Sequence, residues 1–274
     1  MAPRRRTGHH RRCRRSDPQP HPRGSGRRRS SPRPAPPLAL WLLQPRPSAR
    51  RSRGPPLDPA PSWQAAPARY TRENLMDLPR LPGDRADHVR QLTRQLAEPL
   101  LTRLQTQPPP VEEIIGEGLA RLRETLDTYR NGVPIDETTA IQLAWDLHIL
   151  RIRDEAWLAV AAEPITMTGL LGDLAVYLDR PFLTPVSLLW ALAVWRQGDS
   201  RSAYEVVTAV LVVSPFNTMA HLIAAAIRLG VPAKEMADRM PTPAGLDAEM
   251  GPPEPAWLLP LTTMLSLYLR AADN

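Results

Sequence analysis

The chain has 274 residues and a formal net charge of +7, but the charge is divided: residues 1–53 hold 16 Arg and one Asp, while residues 54–274 hold 19 basic and 27 acidic side chains. The larger part is net acidic and repels phosphate at long range, so any nucleic-acid role must lie in the first 53 residues. Cys13 is the one cysteine, which excludes an internal disulfide and a cysteine-based zinc site, and suits a reducing compartment.

Residues 1–67 carry 15 of the 33 prolines among Arg, Ser, Gly and Ala, a composition that cannot bury enough apolar surface to offset its ordering entropy. The expectation is a disordered Arg/Pro-rich tract. Two readings of it stay open: an arm that binds nucleic acid through phosphate contacts, and a start-site or reading-frame artefact of a GC-rich gene, which the 34 Arg against one Lys suggest. No aromatic is interleaved with the Arg clusters to stack on bases. The apolar run Leu38 to Leu43 is too short to span a bilayer, and no export signal follows Arg4-Arg5-Arg6. A cytoplasmic protein without a membrane segment is expected.

From Tyr70 the pattern becomes helical. Thr71 to Leu78 reads as a short helix, and Asp84 to Gln105 as a longer one kinked at Pro99, with Val89, Leu92, Leu96, Leu100 and Leu104 on one face. Val111 to Arg130 follows with Ile115, Leu119, Leu122, Leu126 and Tyr129 in seam spacing, a Glu117–Arg121 pair at i, i+4, and a stop at Asn131-Gly132. Asp136 caps the next helix, which should bend near Arg153 and run on to Ala162. Another covers about Thr166 to Leu178.

Thr184 to Gly230 reads as three short helices in succession, with caps expected at Thr184-Pro185 and Ser214-Pro215, a stop and new cap within Gly198-Asp199-Ser200, and a left-handed stop at Gly230. The first, with Leu188, Leu189, Trp190, Leu192, Val194 and Trp195, is apolar nearly all round and belongs in the middle of a bundle. The second places Ala203, Val206, Val207, Val210 and Leu211 on one face. Pro232 to Met240 is a short helix, residues 241–255 a Pro/Gly-rich linker, and 256–274 a C-terminal helix packed on the domain. The architecture expected is all-α, an irregular helical bundle over residues 70–240.

Chemistry-bearing patterns are sparse. No P-loop, dinucleotide fingerprint, metalloprotease helix or nucleophile elbow is present, so no catalytic, cofactor-binding or metal-ligating residue is assigned and no cofactor is expected. His148 and Asp146 lie about 200° apart on a helix and cannot share a metal, which makes His148 a core or boundary histidine. Arg151, Arg153 and Asp154 form the one cluster of interest. Forked guanidinium groups there could hold an anion or tie one helix to the next.

The turn Trp195-Arg-Gln-Gly198-Asp-Ser-Arg-Ser-Ala203 through Ser214-Pro215 resembles the junction between two tetratricopeptide units, but no second copy appears at a spacing of about 34 residues, so a repeat array is not expected. A more specific resemblance rests on Asp136-Glu-Thr-Thr-Ala140, Arg153-Asp154-Glu-Ala-Trp157, Thr184-Pro185, Leu192-Ala-Val-Trp195-Arg-Gln-Gly198-Asp199, Ser214-Pro215 and Leu229-Gly230-Val231-Pro232. On these residues the stretch from Ile135 to Pro232 resembles the C-terminal half of the actinobacterial domain of unknown function 4192 family, with Tyr70 to Arg130 matching more loosely around Arg72-Glu-Asn-Leu75. The resemblance implies a β-containing N-terminal half, whose place the Arg/Pro tract takes here, and it carries over no activity, cofactor or catalytic residue.

The function expected is a non-enzymatic helical interaction module with a groove between the helices of residues 185–230 that takes a protein partner of unknown identity. The alternative is a nucleic-acid-associated protein binding through its Arg-rich tail, and the remaining one a small-molecule enzyme without a recognisable motif.

Overall fold

The computed structural model describes residues 83–272. Among them the chain is all-α, with eleven α-helices, two short 3-10 turns and no strand. The Arg/Pro tract and the short helix expected at Thr71 to Leu78 lie outside the described residues.

Helix α1, Gly83–Leu104, runs on through Pro99 and buries Val89, Thr93, Ala97 and Leu104. The buried Thr93 hydroxyl donates to the carbonyl of Val89, four residues back, which removes the cost of a lone polar group in the interface. In α2, Val111–Arg130, the apolar stripe Val111, Ile114, Ile115, Leu122 and Leu126 is buried. The seam is met within the chain by α3 (Glu137–Asp146), α4 (Leu150–Ala162) and α5 (Pro164–Val176). Close approach is possible because Gly118 carries no side chain: a Cβ there would sit 2.3 Å from Ile152 Cδ1 and 3.0 Å from Asp146 Cγ. The Glu117–Arg121 pair expected from spacing does not form. Glu117 instead accepts both Arg103 donors, at 2.6 and 2.7 Å, while Arg121 turns to Asp146 on α3. A buried carboxylate draws Arg121 more strongly than an exposed one on the same helix.

Asp136 caps α3 as expected, accepting from the Thr139 amide at 3.0 Å. The chain then breaks at residues 147–149 rather than near Arg153. Leu147 and Ile149 are themselves buried, so the turn interrupts the hydrogen-bond ladder without interrupting the apolar pattern. Helix α5 begins at Pro164, and a 3-10 turn, Arg180–Phe182, leads directly into α6, Leu183–Arg196. Thr184 consequently lies inside the first turn of α6 and is not its cap. Pro185 still falls where no amide donor is needed.

Helix α6 is buried continuously from Pro185 to Trp195 and is touched by α3, α4, α5, α7 (Ser200–Val213), α8 (Thr218–Arg228) and α9 (Ala233–Ala237). It is the axis of the bundle. Asp199 caps α7 by accepting from Ser202, and Ala203, Val206, Val207 and Val210 face inward. For α8 the cap is Asn217, which accepts from Ala220, and not Ser214-Pro215. Gly230 follows with φ +67°, the left-handed conformation that ends a helix without a Cβ penalty.

The segment 241–255, expected as a linker, contains α10, Pro243–Met250, capped by the Thr242 hydroxyl and seated by the buried Leu246. Its proline stands at a helix start and its Gly251 just past the end, so both residues punctuate a helix instead of preventing one. A second 3-10 turn, Pro255–Leu258, leads into α11, Leu259–Ala272, which packs on α1 and buries Leu261 and Leu265.

Candidate functional site

Arg151, Arg153 and Asp154 sit in the first turns of α4. Arg151 is 3% exposed; its Nε donates to Asp247 of α10 at 2.8 Å and a terminal nitrogen donates to Glu155 at 2.8 Å. The other Glu155 oxygen accepts from Arg123 of α2 at 2.9 Å, so this carboxylate ties α2 to α4, and Arg151 carries the chain of ion pairs on to α10. Arg153 points elsewhere and donates to the adjacent Asp154 at 2.9 and 3.2 Å. Burial pushes the Asp154 carboxyl above its ordinary range, against the pull of Arg153 and Arg151. Both guanidinium groups therefore already face carboxylates, and Asp247 is the partner that spacing along the chain could not show.

At the α3–α4 turn, Asp146 pairs with Arg121, yet burial pushes its carboxyl up to about 7 against the attraction of that guanidinium. His148 moves the other way. Burial takes its imidazole down to about 4, opposed by the carbonyl of Phe182 and helped by the charge of Arg153. The ring stands edge-on to Phe182 at 6.5 Å, and Trp145 packs on the same phenyl at 5.8 Å. Among the described residues no group of three or more His, Cys, Asp or Glu side chains is placed to hold a metal ion. These charges belong to the interior.

A concave feature with exposed apolar surface lies between the start of α6 and the end of α7. Here a groove of about 330 Å³ is walled by Leu183, Thr184 and Ser187 of α6 and by Ala209, Val210 and Val213 of α7. Its geometry follows from the fold: α6 is entered through the 3-10 turn at Arg180–Phe182, and α7 ends at Val213, so neither helix covers the other there. Val213 is 67% exposed and Phe216, just beyond the rim at Ser214, is 94% exposed. Arg180 at the opposite edge has no carboxylate partner among the described residues. A mostly apolar trough with a cation at one edge suits an amphipathic segment rather than a small polar molecule.

An all-α bundle threaded on one buried helix, with a surface groove and its buried charges neutralised internally, defines a class of helical scaffold and not a chemistry. The family follows from the sequence match: a family model described as Domain of unknown function (DUF4192) matches residues 49–234, more than half of the chain, and the chain belongs to that family. No curated protein and no solved structure matches it. The match begins upstream of Tyr70, inside the Arg/Pro-rich tract, and ends within α9, so α10 and α11 lie beyond it. Among the described residues no helix is long and apolar enough to cross a membrane.

Proposed function

We propose that the chain is a non-enzymatic interaction module whose α6–α7 groove receives an apolar helix or extended peptide from another protein. One observation carries the reading: Val213, which lines the groove, is largely exposed, and Val212 and Phe216, close to it along the chain, are exposed as well. Exposed clusters of this kind raise the free energy of the unbound protein and are relieved when a partner covers them. The free Arg180 adds a preference for a carboxylate on the partner.

A displayed library of helical peptides selected on the full chain tests this. Enrichment of sequences with apolar residues at i, i+3 or i+4, whose binding is abolished in Val213→Asp at an unchanged thermal midpoint, is the expected result. Val213 is exposed, so the substitution should leave folding intact. Binders that tolerate Val213→Asp would place the interaction elsewhere.

A further inference from the structure

The two walls of the α6–α7 groove differ in polarity. On one stand Arg180, Thr184 and Ser187, which follow one another at helical spacing; on the other stand Ala209, Val210 and Val213 of the last turns of α7. No acidic side chain of the described residues lines the groove. Asp179, next to Arg180 in the chain, is taken up by the Tyr268 hydroxyl, which donates to it at 2.7 Å. Ser187 is only 6% exposed, yet the hydroxyl it brings to the groove makes no hydrogen bond among the described residues, and the Thr184 hydroxyl makes none either. A nearly buried hydroxyl without a partner is unusual and points to one supplied from outside. The same wall is the amino end of α6, which no side chain caps and which carries positive partial charge. The facing wall is the carboxyl end of α7, with negative partial charge and apolar side chains. An anion is therefore drawn to the α6 wall and an apolar body to the α7 wall.

We infer that the partner segment enters this groove by its C-terminus, with its free carboxylate at Arg180 and its last carbonyls accepting from Thr184 and Ser187. The inference rests on the reading of the groove as a peptide site and adds which end of the peptide it takes. At about 330 Å³ the groove lies at the lower end of the roughly 300–1,000 Å³ of small-ligand pockets, so it holds one end of a segment and not its length. An amino end is repelled by Arg180 and by the amino end of α6. An internal Asp or Glu can reach Arg180, but an exposed pair of that kind contributes little, and the segment would then cover the Ser187 hydroxyl without giving it an acceptor. A carboxyl end supplies both needs together. Its terminal charge meets the guanidinium in a charge-assisted bond, and its last carbonyls, which have no partner within a helix, meet the hydroxyls.

A randomised peptide library selected on the full chain in two formats, one with a free C-terminus and one fused to its carrier through the C-terminus, tests this. Binders lost in Val213→Asp are groove binders, and they are expected from the free format alone. Such a peptide, synthesised as acid and as amide, should lose about tenfold in affinity on amidation. In Arg180→Gln the acid and amide should agree to within about twofold, because the group that tells them apart is gone. Ser187→Ala should weaken the acid peptide at an unchanged thermal midpoint, since the hydroxyl it removes bonds nothing in the unbound protein. Groove binders from both formats, equal affinities of acid and amide, or a difference that survives Arg180→Gln would overturn entry by the C-terminus while the peptide site itself stands. No Val213-sensitive binder in either format would overturn both readings. Displacement of the acid peptide by decanoate at concentrations below the peptide's own Kd would assign the groove to a free acyl carboxylate and overturn the proposal as well.

Discussion

Asp146 and His148 stand two residues apart at the end of α3, and burial shifts them in opposite directions, the acid up to about 7 and the imidazole down to about 4. An acid with a raised native pKa holds its proton after the unfolded chain has released it, so Asp146 makes stability fall as pH rises from about 4 to about 7. His148 does the reverse: the unfolded chain takes up a proton below 6.5 while the native ring stays neutral down to about 4, so stability rises with pH across that window. Each slope is at most about 1.4 kcal/mol per pH unit, and from about 4 to 6.5 they cancel. Urea titrations from pH 4 to 7 check this. Relative to the unaltered chain, Asp146→Asn should gain a rising slope with pH and His148→Gln a falling one; parallel profiles for all three proteins would show that the two groups do not titrate in opposition.

At the scale of elements, the packing of α2 against the α3–α4 turn depends on Gly118. Gly118→Ala should lower stability by about 1–3 kcal/mol, because Ile152 and Asp146 must give way to the new methyl group. Helix propensity alone would favour alanine, so an increase in stability would mean that α2 sits farther from its neighbours than this approach at Gly118 requires. How much of such packing is legible in sequence depends on contrast. The inward face of α7 is readable because Arg201 and Glu205 mark the outside against Val206, Val207 and Val210. The burial of α6 is readable because it has no polar side at all. The break at residues 147–149 is not, since its own residues are apolar, and the start of α6 is not, since a 3-10 turn supplants the Thr184 cap. Ser214-Pro215 draws the eye from Asn217, the residue whose side chain meets the helix amide. Helix α10 is hidden when proline and glycine are weighed by number, because only their positions show that they bracket a helix. The groove shares this limit: wheel patterns place Val210 inward, but exposure of Val213 and Phe216 depends on where α6 and α7 end relative to each other.

At the scale of the whole molecule, charge separates the chain more sharply than structure does. Residues 1–53 carry 16 Arg against one acidic side chain, and residues 54–274 carry 27 acidic against 19 basic. Any binding to a DNA duplex by the full chain should therefore weaken steeply with salt, and changing Arg11, Arg12, Arg14 and Arg15 to Gln should make the log–log salt slope shallower, by up to about 0.9 for each phosphate no longer neutralised. A slope indifferent to those four changes would place the phosphate-binding groups elsewhere, and only a slope also kept when the other twelve arginines of residues 1–53 are changed would place them on the acidic remainder, against the charge division. The proposed protein recognition would rest on the bundle instead. Helix α6 is enclosed by six others, the interior charges are paired, and part of the apolar surface left over lines the grooves at the ends of α6 and α7 and along α11.

The most direct measurement is photo-crosslinking in the native cell, with a photoreactive residue at position 213 of the full chain and a control at Glu112, exposed on α2. Position 213 should capture a distinct protein that the control does not, and Arg180→Glu should diminish that product. Equal products from both positions, or adducts at 213 consisting solely of this chain's own copies, would contradict the assignment of the α6–α7 groove as the surface that receives a partner.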